Sequence, residues 1–326
     1  MTAEVAGLGG GVYLGAYLAP FQRWLGRETV TEILVNRPGE VWVEEAGAGM
    51  RREDAPEIDD RLLERLAAQA ARITHQAVSR EHPLLAATLP DGSRTQFVGP
   101  PATRTGWAVA IRRHRTADVP LTAWDAPAAA QGSSMSDLDP AEARRDPIAF
   151  LRGAVAARAT ILISGGTSSG KTTFLNALLR EIPTGDRVIL VEDTPEIRLT
   201  APNALGLVAV RGHAGEAMVG TEDLLKAALR LRPDRIVLGE LRGAEAVSFL
   251  RAVNTGHPGS FSTIHANTPS GALEQLAFMV LQAGSGLSRS DTLEYARSVV
   301  DVVVQLRREN GLRGIAKIEV VRCTGG

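Results

Sequence analysis

Gly165-Gly166-Thr167-Ser168-Ser169-Gly170-Lys171-Thr172 is the stretch that decides how this chain is read, because it fits the pattern G-x-x-x-x-G-K-[ST]. The apolar run Thr160-Ile161-Leu162-Ile163 precedes it, and Phe174, Leu175, Leu178 and Leu179 follow at helical spacing. The order is strand, loop, helix. Glycines let backbone N–H groups close around phosphate oxygens, and the helix that follows offers its positive dipole end to the same charge. Gly165, Thr167, Ser168, Ser169, Gly170, Lys171, Thr172 and Thr173 are therefore the candidate nucleotide contacts. Lys171 is expected to reach the β and γ phosphates, and the Thr172 hydroxyl to meet a Mg²⁺ held mainly by phosphates and water.

Outward from the loop, strands and helices alternate. Strands are expected at Arg187 to Glu192, Arg235 to Gly239 and Ser260 to His265. Helices are expected from Asp146-Pro147 to Arg158, Thr221 to Arg232, Ala244 to Asn254, Pro269 to Ala283 and Ser290 to Val300. Such alternation implies an α/β fold with a helix-covered parallel sheet. Two last strands, Asp301 to Arg307 and Leu312 to Arg322, flank the hairpin signal Asn310-Gly311.

The first part of the chain reads differently. Strands at Glu32 to Val35, Glu40 to Glu44, Leu85 to Leu89, Arg94 to Val98 and Trp107 to Arg112 surround a helix whose apolar face carries Ile58, Leu62, Leu63, Leu66, Ala70 and Ile73. This is a smaller α+β module, residues 1–115. A tract rich in Ala, Pro, Ser, Gly and Asp then reads as a linker, 116–146, and the phosphate-loop domain occupies 147–326.

With 36 basic and 37 acidic residues the net charge is −1, so no global field draws the chain to nucleic acid or anionic lipid. The single cysteine, Cys323, excludes an intramolecular disulfide and suits a reducing compartment. The glycine-rich start lacks the basic residues of a signal peptide, and no apolar run reaches membrane-spanning length, so a cytoplasmic or peripheral protein is expected.

Two further strand ends carry acids. Val188-Ile189-Leu190-Val191 leads into Glu192-Asp193-Thr194-Pro195-Glu196, and Ile236-Val237-Leu238 into Gly239-Glu240-Leu241-Arg242. Both fall at the carboxyl edge of the sheet, where ligands of open α/β folds bind. Arg242 either pairs with Glu240 or meets phosphate. His257 and His265 stand on either side of a short strand; with no cysteine near they do not make a zinc site, but a histidine facing a γ-phosphate would sense the nucleotide state.

Together these residues resemble the secretion traffic ATPases. The resemblance rests on Gly165 to Thr173, Val191-Glu192-Asp193-Thr194-Pro195-Glu196-Ile197, the run Leu229 to Gly243, and Thr255 to Asn267. It extends forward through Glu32 to Trp42 and Ile111-Arg112-Arg113, so nearly the whole chain is covered. The type IV secretion and conjugation branch is most similar, since it lacks the tetracysteine zinc module of many type II relatives. What the resemblance implies is a RecA-like P-loop NTPase domain behind a smaller α+β domain, and a homohexameric ATPase using ATP and Mg²⁺ on the cytoplasmic face of the inner membrane. Partners would be inner-membrane secretion components, with peripheral membrane contact and no sequence-specific nucleic-acid binding.

By the same resemblance Glu196 is the candidate general base and Glu240 the metal-side carboxylate, two roles that can be exchanged. His257 and His265 fall on the family's histidine motif, and Arg112 on an arginine that reaches toward nucleotide. The competing reading, a helicase or translocase on a RecA-like core, predicts a basic stripe with interleaved aromatics, against an aromatic content of 4%. A small-molecule kinase would need an acceptor pocket and a lid.

Overall fold

The computed structural model describes residues 12–113, 139–211, 217–284, 286–309 and 312–322. The chain divides into two compact units. One comprises Met1–Ala130 with Val210–Val219 and Arg230–Arg232; the other comprises Gln131–Ala209, Gly220–Leu229 and Pro233–Gly326.

The first unit opens with α1 (Val12–Leu18), a 3-10 turn (Ala19–Phe21) and α2 (Gln22–Leu25). Strands β1 (Val30–Val35), β2 (Gly39–Glu45) and β3 (Ala48–Ala55) follow, then α3 (Asp60–Ile73), β4 (Leu84–Thr88), β5 (Arg94–Val98) and β6 (Ala108–Arg112). The strands form a six-stranded sheet in the order β3-β2-β1-β6-β5-β4, antiparallel at every pairing. Period-2 alternation sends Ile33, Val41, Val43, Phe97, Val109 and Ile111 to one face. There they meet Leu63, Leu66 and Ala70 of α3 and Leu14, Leu18 and Trp24 of the first helices. Helix α3 begins where Asp59 caps it, accepting the Leu62 N–H at 2.7 Å. Around the sheet edge Glu53 accepts from Trp24 Nε1 and Arg27, and these bonds, Arg27 first, hold its carboxyl below the ordinary range against the opposing effect of burial.

In the second unit α4 (Glu142–Arg145) and α5 (Pro147–Ala156) lead to β7 (Ile161–Ser164), α6 (Lys171–Leu179), β8 (Val188–Glu192) and β9 (Ala204–Val208). A two-residue ribbon, β10 (Val210–Arg211) with β11 (Met218–Val219), groups with the first unit. Then come α7 (Thr221–Ala228), β12 (Arg235–Leu238), α8 (Glu245–Asn254), β13 (Phe261–Ile264), α9 (Pro269–Gln282), α10 (Arg289–Val299), β14 (Val302–Glu309) and β15 (Leu312–Val320). Seven strands make one sheet in the order β15-β14-β7-β13-β12-β8-β9. All neighbours are parallel except β14 and β15. Every residue of β7, β8, β12 and β13 is buried, as a sheet covered on both faces requires. Phe150 and Leu151 of α5, and Leu175 and Leu178 of α6, pack on Ile161, Ile163, Leu190, Val237 and Phe261.

Asp146 caps α5 through the Ala149 N–H, with Pro147 at the first helical position. The linker expected at 116–146 lies mostly outside the described residues, and its last part carries α4. The helix expected from Thr221 to Arg232 ends at Ala228. Arg232 takes φ +57°, and the proline after it disfavours helical geometry in the residue that precedes it. The Asn310-Gly311 turn is outside the described residues, but its strands pair antiparallel up to Glu309 opposite Leu312.

The amino-terminal ends of these strands hold a buried ionic network. Arg235 is fully buried with its Nε 2.6 Å from Asp186, whose other oxygen receives Arg158 at 2.5 Å. Arg187, equally buried, donates to Asn203 at 2.6 Å, and its N–H goes to Asp234 at 2.8 Å. Beside them Asp301 accepts the Thr160 N–H at 2.8 Å.

Candidate active site

At the opposite, carboxyl edge a cleft of about 480 Å³ opens between the ends of β7, β8, β12 and β13. The phosphate loop forms one wall. Gly170 has φ +93°, which a side chain would strain, and it sits immediately before α6. The first-turn N–H groups of α6 have no acceptor within the helix and face the loop mouth. A Cβ at Gly165 would collide with the buried Ser169 hydroxyl, which has no hydrogen-bond partner among the described residues. The loop is thus a cradle whose shape requires Gly165 and Gly170, and it fits a polyphosphate.

Lys171 is nearly buried. Its Nζ lies 3.0 Å from the Gly165 carbonyl, 3.3 Å from that of Gly166 and 3.3 Å from Nδ1 of His265. Burial depresses its pKa below that of an ordinary lysine, Glu240 works against the shift and Arg242 adds to it. His265 in turn places Nε2 2.9 Å from Glu240, and the other Glu240 oxygen accepts from Arg242 at 2.5 Å. Arg242 also reaches Asp193 at 3.5 Å, and Asp193 accepts from the Thr221 hydroxyl at 2.8 Å. One polar chain therefore runs from the phosphate loop across three strand ends. It gathers a cation, an imidazole and a carboxylate at the mouth of the loop.

The acids after β8 divide their work. Glu192 is buried and accepts the N–H groups of Glu196 and Ile197, at 3.0 and 2.8 Å. Asn176 of α6 accepts the Arg198 N–H, so the loop is pinned on both sides. That leaves Glu196 exposed in the cleft wall, its carboxylate without an ion pair or hydrogen bond among the described residues.

Thr167, Ser168, Ser169, Gly170, Lys171, Thr172, Thr173, Glu196, Glu240 and His265 are all brought to this cleft. Gly165 lies behind it under the loop. His257 is elsewhere: it stands at the amino-terminal end of β13, with Nδ1 2.9 Å from the Pro233 carbonyl. Arg112 ends β6 in the first unit, 3.5 Å from Glu32. Two lining residues carry no motif signal, Thr221 and Arg313. Arg313 reaches the cleft only because the last hairpin folds back beside β7, which sequence periodicity does not reveal.

A parallel sheet with this loop after one strand and acids at the ends of two others defines a RecA-like P-loop NTPase. More narrowly, the chain belongs to the type II/IV secretion system protein family, which it matches over residues 16–310. It is 34% identical over 324 residues to the type IV secretion system protein VirB11 of Bartonella henselae, spanning 92% of this chain and 91% of that one. It is 39% identical over 312 residues to the type IV secretion system protein PtlH of Bordetella pertussis, spanning 90% of each. The crystal structure of the VirB11 ATPase from the Brucella suis type IV secretion system, in complex with sulphate, matches with a TM-score of 0.86 at 33% identity. That match covers 95% of this chain and 98% of that one.

Proposed function

We propose that this chain is a homohexameric ATPase that powers type IV secretion, either of protein or of DNA, or pilus biogenesis. The observation that carries the reading is the chain of contacts from Lys171 through His265 and Glu240 to Arg242 in the mouth of the phosphate loop. Lys171 would leave the loop carbonyls for the β and γ phosphates, relieving a buried ammonium of poor solvation. Thr172 and Glu240 would hold Mg²⁺, which when bound neutralises phosphate charge. Glu196, exposed and without an ion pair among the described residues, would take the proton of the attacking water, whereas Glu240 is already engaged by Arg242 and His265. His265 bridges Lys171 and Glu240, so a change in what Lys171 binds alters its partners, which suits a sensor of nucleotide state. In this reading the N-terminal module, residues 1–115, supplies Arg112, the linker spans 116–146, and 147–326 form the ATPase domain. His257, at the far end of β13, belongs to coupling and not to the reaction.

No helix among the described residues is long and apolar enough to cross a membrane. We place the ring on the cytoplasmic face of the inner membrane through its secretion partners. The test is phosphate release by the full chain with Mg²⁺ and ATP, with and without single-stranded DNA, together with a mass measurement in the presence of an ATP analogue. Hydrolysis by a six-subunit ring is expected. Strong stimulation by DNA with directional unwinding would replace the secretion reading with a helicase, and phosphate delivered to a metabolite would replace it with a kinase.

A further inference from the structure

Three permanent or near-permanent cations line the cleft: Lys171, Arg242 and Arg313. Two are engaged. Lys171 donates to the loop carbonyls, and Arg242 is neutralised by Glu240 and Asp193, the first of which raises its pKa further. Arg313 is different. It stands near the start of β15, exposed, with no acid and no hydrogen-bond acceptor at its guanidinium among the described residues.

Its position is set by close packing against the loop. A Cβ at Gly170 would come within 2.9 Å of Arg313 Cδ and 3.6 Å of its Nε. Gly170 is therefore glycine for two reasons, its φ of +93° and the arginine stem lying over it. The Gly170 carbonyl opens α6 by accepting the Phe174 N–H at 2.8 Å, so the arginine lies over the phosphate end of that helix. Arg313 also lines the cleft together with the loop residues Thr167 to Thr173. A planar guanidinium carries its charge at any working pH and donates in pairs to phosphate oxygens.

We propose that Arg313 is a phosphate-contacting residue of this cleft, contributed by the terminal hairpin. The inference rests on the nucleotide reading of the cleft and adds to it a ligand contact outside the loop, the acidic strand ends and the histidine strand.

ATP titrations of the full chain at several salt concentrations test it, comparing the parent with Arg313→Ala and Arg313→Lys. Arg313→Ala is expected to weaken ATP by about tenfold and to flatten the salt dependence of its affinity, because one charge-assisted contact is lost. Arg313→Lys should keep the salt dependence and recover part of the affinity. Unchanged affinity in Arg313→Ala overturns the assignment. So does weaker binding with the parent's salt dependence, which would mean stacking on the base. Failure of the parent itself to bind ATP would instead overturn the nucleotide reading. Arg313 is exposed and holds no partner among the described residues, so an unchanged melting temperature is expected to accompany either substitution.

Discussion

At the amino-terminal edge of the seven-stranded sheet Arg235 has lost all contact with water and is matched at 2.6 Å by Asp186; at the carboxyl edge Lys171, almost as buried, is held by two carbonyls and an imidazole. Both ends concentrate charge on the same strands. The first is closed to solvent: Asp186 is shared by Arg235 and Arg158 while Arg187 bonds Asp234 and Asn203 alongside, and Arg235 Nη2 has no hydrogen-bond partner among the described residues. The second places its principal cation on weak acceptors that a polyphosphate can displace. Burial depresses the pKa of both cations, yet only Arg235 has a carboxylate in contact to offset it. The difference separates charge spent on holding strands in register from charge kept for a ligand.

Removing the cation from the open end is expected to have the largest effect. Lys171→Ala should lower ATP turnover by about 10³-fold, roughly 4 kcal/mol of transition-state stabilisation, with folding intact. Phosphate release and circular dichroism check both halves of that statement. At the closed end the effect falls on stability instead. Asp186→Ala leaves two arginines facing a void and should cost about 3–5 kcal/mol in urea unfolding. A cost as small as that of a surface change would erase the contrast between the edges.

Glu196→Gln comes next, with kcat down about 10²-fold and ATP affinity within about twofold of the parent. If Glu240→Gln behaves so and Glu196→Gln does not, the two carboxylates exchange roles. The smallest effect concerns pH. Burial lifts the Asp301 carboxyl above its ordinary 3.8, and the Thr160 N–H and Arg322 offset part of the shift. A raised folded pKa favours the folded chain while the group is protonated, below pH 3.8, and the advantage is lost as pH climbs through the folded pKa. Asp301→Asn keeps an acceptor for Thr160 and removes that slope. Its stability relative to the parent should therefore rise as pH climbs above 3.8, in denaturant titrations at each pH.

How far the sequence alone could be read follows the same division of edges. The loop, its strand and its helix are local signals, and the Asp146-Pro147 cap and the antiparallel last hairpin stand where periodicity and turn chemistry put them. Strand β3 carries no strand pattern in sequence, because Arg51, Arg52, Glu53 and Asp54 do not alternate with apolar residues; it is largely exposed on both faces at the edge of its sheet. Strand β9 carries a glycine in its centre and is recognisable only through its pairing with β8. The 3-10 turn and α2 are short and lack capping side chains, so no start signal marks them in the sequence. In the cleft, the motif residues could be listed from spacing, but the contact of His265 with both Lys171 and Glu240 joins three strand ends and has no local signature. Glu192 is one of the strand-end acids in sequence, and only the structure shows it as a backbone anchor.

Strand β15, which carries Arg313, is also the last strand on its side of the sheet, and among the described residues nothing pairs with its outer edge. An open edge invites another chain to add a strand, and charged side chains along it are a common deterrent. Arg313, Lys317 and Glu319 stand on that strand. Replacing Arg313 with a β-branched apolar residue would thus remove a guard as well as a ligand contact, and the cost would appear as self-association on concentration before it appeared in any assay of the cleft.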